Sequence, residues 1–126
     1  MEMQGIAWNA IVTAEFDKTV AFFKDVFGLP ATVEHPGFAQ FPQAGGGVLE
    51  VFADRNTPPY GFNGGVAFGF RVDDIEAASA ELAAAGAELL GEINRLGNGK
   101  AYRFFRGPGG HVYGLDEAPR TVHAMR

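Results

Sequence analysis

Short apolar stretches separated by Gly and Pro run along the whole chain, the pattern of many strands closed by tight turns with few helices. In residues 5–13, Ile6, Trp8, Ala10 and Val12 alternate with Ala7, Asn9, Ile11 and Thr13, a period of two that predicts a strand. Both sets could be buried, so the pattern leaves open whether Trp8 or Asn9 faces a ligand. Over residues 17–27 the period changes: Val20, Phe23 and Phe27 recur at three and four, placing them on one stripe of a helix with Lys18 and Asp25 toward solvent. Gly28 and Pro30 end it. Residues 31–34, 37–41 and 48–53 are of strand length, divided by Pro36, Pro42 and the Gly45, Gly46, Gly47 run, and a Pro-rich connection covers residues 54–64.

The order then starts again. A strand is predicted over residues 66–72, with Val66, Phe68, Phe70 and Val72 packing under a helix and Gly65, Ala67, Gly69 and Arg71 on the other face. A helix of Ala, Glu and Leu follows over 74–85, stopped by Gly86, and then strands over 88–94, 101–106 and 111–116. Trp8, Glu15, Phe16 and Phe23 correspond to Ala67, Asp74, Ile75 and Leu82, each 59 positions later. A β-α-β-β-β unit of about 60 residues leaves one sheet face uncovered, so two such units must pair in one chain or dimerise. The other reading is an ordinary α+β sandwich with a coincidental repeat. The expected organisation is a first module over 1–60, a second over 61–118 and a tail over 119–126, one structural domain in all.

Composition narrows the function. The 126 residues are 47% hydrophobic, enough for one compact domain. No apolar run approaches the ~20 residues that cross a bilayer, and no basic segment leads into a greasy one at the start, so neither membrane insertion nor secretion is expected and a cytoplasmic address is. Absence of Cys removes disulfides, thiolate metal sites and a Cys nucleophile. The formal charge of −5, with scattered basic residues, argues against nucleic acid and suits a neutral or cationic small molecule. Other chemistry is poorly supported. His35, His111 and His123 have no i, i+4 partner, Ser79 lies in an Ala-rich helix, and Gly45-Gly46-Gly47 lacks the Lys of a phosphate loop.

Three words in order, residues 15–29 (EFDKTVAFFKDVFGL), Val72-Asp73-Asp74-Ile75 with Ala84-Ala85-Gly86-Ala87, and Gly107-Pro108-Gly109-Gly110-His111, resemble the vicinal oxygen chelate superfamily of glyoxalases, bleomycin-resistance proteins and extradiol dioxygenases. The resemblance covers about residues 5–117. It implies an α+β fold of two tandem βαβββ modules with mixed sheets curled around a shared cleft, and a homodimer. In glyoxalase-like members four side chains of that cleft hold a divalent metal. Their positions here fall on Trp8, Glu50, Ala67 and Gly114, of which only Glu50 offers a donor. The resemblance therefore implies no metal and no cofactor at this site.

Glu50 lies between Val48 and Phe52, and a carboxylate among apolar neighbours is the pattern a general acid or base needs. It could equally pair with Arg71 or Arg103, or hold a cationic ligand. Trp8, Phe52, Phe105 and Phe38 could line an aromatic slot, with Ala67, Gly69 and Gly114 leaving volume free. The expected function is metal-independent binding of a small aromatic or cationic molecule in the inter-module cleft by Trp8, Glu50, Phe52, Ala67, Gly69, Arg71, Arg103, Phe105 and Gly114. The alternatives are a metal-dependent glyoxalase, lyase or dioxygenase with atypical ligands, and a metal-free acid-base enzyme using Glu50.

Overall fold

The computed structural model describes residues 1–56 and 60–119. The expected tail lies outside the described residues but for Pro119, its first residue, and His123 is among those outside. Eight strands and two α-helices follow one another as β1 (Met3–Thr13), α1 (Phe16–Asp25), β2 (Val33–His35), β3 (Phe38–Pro42), β4 (Val48–Ala53), β5 (Val66–Val72), α2 (Ile75–Ala84), β6 (Glu88–Arg95), β7 (Ala101–Arg106) and β8 (Val112–Glu117). This is an α+β fold of two βαβββ modules, as the repeating pattern implied. The chain forms two compact units, one of Ala7–Phe68 and one of Met1–Ile6 with the chain from Gly69 onward, so the division falls inside β5.

In the first unit the strands run in the order β2-β3-β4-β1. β1 is parallel to β4 and β3 antiparallel to it, which makes this a mixed arrangement. One face carries Ala39, Phe41 and Val51, all buried against Val20 of α1, with Phe16, Phe23 and Leu49 packed around them. Val20 and Phe23 of the helical stripe read from the sequence therefore do cover this face, whereas Phe27, expected on the same stripe, lies beyond the end of α1 and is 61% exposed. At the end of α1, Gly28 adopts φ +70°, a left-handed conformation, and the Leu29 amide returns to the Phe23 carbonyl at 3.0 Å.

In the second unit the order is β5-β8-β7-β6, with β5 parallel to β8 and the rest antiparallel. Asp74 caps α2 by accepting from the amides of Glu76 and Ala77 at 3.1 Å, and the buried carboxylate of Glu117 accepts from Ile75 at 3.0 Å. Gly86 closes the other end: its amide reaches Ala83 O and that of Ala87 reaches Leu82 O, a Schellman motif. The core beneath α2 is Val72, Ile75, Ala78, Ala101, Phe105 and Leu115. Val72 meets the expectation for β5, whereas Val66, expected under a helix, is 59% exposed. Among the described residues no helix is long and apolar enough to cross a membrane.

Candidate functional site

Pairing across β1, β4 and β3 gathers one set of side chains opposite the α1 face of the first unit. Ala10 and Gln40 lie directly beside Glu50 on either hand, Val48 is opposite Trp8, and Phe38 is opposite Phe52. Residues paired across strands point to the same face, and diagonal neighbours two residues away lie within reach of long side chains. Trp8 is such a diagonal neighbour of Glu50, and its indole Nε1 donates to Glu50 Oε1 at 2.8 Å. Gln40 Nε2 donates to Glu50 Oε2 at 2.9 Å. The parity question is thereby answered: Trp8 shares the Glu50 face, and Asn9, opposite Leu49, does not.

The half-buried Glu50 carboxylate is thus held by two neutral N–H donors. Among the described residues it makes no salt bridge, although the sequence offered Arg71 and Arg103 as partners. Arg71 instead donates to Asp116 Oδ2 at 3.1 Å, and Arg103 donates to the carbonyl of Gly91. An ionised carboxylate has about four lone-pair positions, so two donors leave acceptor capacity and an uncompensated charge at Glu50.

An aromatic chain runs beside it. Trp8 meets Phe62 edge to face with centroids 5.3 Å apart, Phe62 meets Phe52 at 5.9 Å, and Phe52 meets Phe38 at 5.1 Å. Phe38 and Phe52, both named from the sequence as candidates for an aromatic slot, are members of this chain. Phe62, only 4% exposed, was missed because it lies in the connection read as a loop. Its placement follows from a glycine. Gly65 adopts φ +108° with the Val12 carbonyl 3.1 Å from where a Cβ would stand, so its own carbonyl can take the Val12 amide at 2.7 Å and tie the turn to β1.

The remaining expected lining residues fall differently. Phe105 is in the α2 core and stacks on Tyr113 at 5.5 Å, and Arg103 shares its parity on β7. The other parity of β7 carries Tyr102 and Phe104, opposite Asp116 and Gly114, and it is this face that holds Gly69 and Arg71. A one-residue step in β7 separates the expected set from the one the register selects. Gly69 has a packing reason: a Cβ there would meet Gly114 O at 2.8 Å. Its bare backbone permits close strand approach. Ala67 is 1% exposed and part of the first unit. His35 lines a separate cavity of about 470 Å³ between α1 and β2, crossed by the Lys24–Glu34 ion pair at 3.0 Å.

The metal site that the family implies can be tested on its donors. Of the positions in the first unit, Trp8 presents an N–H, Ala67 a methyl, and Glu50 a carboxylate already bonded to two donors. Gly114, in the second, has no side chain. A divalent ion needs several oxygen or nitrogen donors, and these residues do not fit one.

A sequence model of the glyoxalase/bleomycin resistance protein/dioxygenase superfamily matches residues 5–114. Among solved structures, a superfamily member from Vibrio splendidus is 19% identical with a TM-score of 0.66, covering 92% of this chain and 99% of that one. Methylmalonyl-CoA epimerase from Mycobacterium tuberculosis is 20% identical with a TM-score of 0.69, covering 98% and 93%. The Mn(II)-bound glyoxalase from Novosphingobium aromaticivorans is 23% identical with a TM-score of 0.74, covering 96% of this chain and 42% of that one. At these identities the likeness is one of fold. No curated protein matches the sequence.

Proposed function

Because the chain belongs to the glyoxalase/bleomycin resistance protein/dioxygenase superfamily, and the resemblance implies that Glu50 is the one donor left at the positions of its metal ligands, we propose that it binds a small cationic aromatic molecule at Glu50 without a metal. The observation that carries this reading is a half-buried carboxylate with no ion-pair partner among the described residues, held toward an aromatic chain by Trp8 and Gln40. A cationic ligand supplies the missing countercharge. Its ring gains from the faces of Phe38 and Phe52, where a cation is worth about 0.5–2 kcal/mol. Binding of this kind amounts to sequestration, and it needs only residues of the first unit.

Calorimetry with a panel of basic aromatic compounds, and acidic compounds of matching size, tests the proposal. The basic members are expected to bind one per chain and the acidic ones not at all. Glu50→Gln should weaken binding by about tenfold or more, since a hydrogen bond to a charged group contributes about 1.5–3 kcal/mol. Silent titrations across the basic panel, or binding indifferent to Glu50→Gln, would contradict it. Stoichiometric Zn, Mn or Fe at Glu50 in the purified protein would do so as well.

A further inference from the structure

The hydrogen-bond directions around Glu50 constrain the shape of the ligand's polar head as well as its charge. A carboxylate only accepts, so the end of the Gln40 amide facing it at 2.9 Å must be Nε2. The other end of that planar amide, Oε1, is therefore an acceptor, and it has no protein partner among the described residues. Gln40 and Glu50 are directly paired on β3 and β4, while Trp8 approaches the carboxylate from β1 on the other side. The β3 side of the site thus carries two neighbouring acceptors, one charged and one neutral. The next pair along the same face is Phe38 with Phe52.

Two adjacent acceptors beside an aromatic pair match a planar, forked cation. We infer that the ligand's head is an amidinium, guanidinium or protonated amino-heterocycle, giving an N–H of one nitrogen to Glu50 and an N–H of a second nitrogen to Gln40 Oε1 while its flat body lies on Phe38 and Phe52. An ammonium satisfies Glu50 as a point charge but presents no fixed second donor in the plane. Gln40 is then a specificity-determining residue, distinct from the charge requirement set by Glu50. This inference rests on the cation-binding reading of Glu50.

Three probes separate the two ideas, with binding followed by the fluorescence of Trp8, the one tryptophan in the chain. Benzamidine carries the fork, benzylamine carries only the charge, and N,N-dimethylbenzamidine keeps the charge while one arm of the fork is blocked. Benzamidine is expected to bind about fivefold more tightly than either of the others, the worth of one added hydrogen bond. Gln40→Met should bring benzamidine and benzylamine to within about twofold of each other, because any indirect effect through Glu50 weakens both cations alike. The comparison with the dimethylated probe needs no variant and stands whether or not Gln40→Met folds. Equal affinities for all three probes in the unaltered protein, or a preference that survives in folded Gln40→Met, overturn the fork. If benzylamine still binds in a Glu50-dependent way, the cation site stands without it. If none of the three binds, both readings fall.

Discussion

Glu50 was visible in the sequence because a charged residue interrupts the apolar run from Val48 to Phe52. Trp8 was expected to line the same site; Gln40, the other hydrogen-bond partner of the carboxylate, was not. Gln40 is an uncharged residue in a short strand and belongs to no motif. It matters only because β3 pairs with β4 in a register that sets it beside the carboxylate. Phe62 lies among Pro and Gly, a composition that signals a loop and conceals a side chain buried on Trp8 and Phe52. Gly69 carries the opposite lesson, since a missing side chain suggested space for a ligand and the cause is the Gly114 backbone. Gly69→Ala is therefore expected to lower stability by about 1–3 kcal/mol in chemical denaturation, as overpacking does, with little change in binding at Glu50. Undiminished stability in that variant would show that the strands have room to spare.

The elements themselves were largely legible, because the period of apolar residues changes from two to three or four at the first helix, a run of Ala, Glu and Leu marks the second, and Gly follows the end of both. Corresponding positions in the repeat nonetheless do different work. Asp74 caps α2 with its side chain, whereas Glu15, its counterpart, makes no side-chain cap on α1. Asp74→Ala should therefore cost about 1 kcal/mol of stability, measured by thermal or urea unfolding, and Glu15→Ala distinctly less. Strand faces were harder to read. In β1 both parities are apolar enough to be buried, and β7 carries aromatics on both, with Tyr102 and Phe104 against Phe105. Alternation cannot choose between faces in such strands, and the choice falls to the pairing of β1 with β4 and of β7 with β8.

For the whole molecule, the repeat at 59 residues foretold two βαβββ modules because each module needs the same sequence of strand, helix and hairpins. The net charge of −5 acts at this scale too, since an acidic surface draws cations toward any site on it. Affinity for a cationic probe should accordingly fall as ionic strength rises from about 0.01 to 0.15 M, where the screening length shortens from about 30 to 8 Å, while a neutral probe is unaffected. Titrations at the two salt concentrations check this. The most direct test of cation binding at Glu50 is the indole N–H resonance of Trp8, a single peak in a ¹H–¹⁵N spectrum, because that proton is donated to the Glu50 carboxylate. Addition of benzamidine is predicted to shift this peak in a saturable way, and Glu50→Gln to abolish the shift. A peak that stays fixed while calorimetry records binding would place the ligand elsewhere and contradict the account.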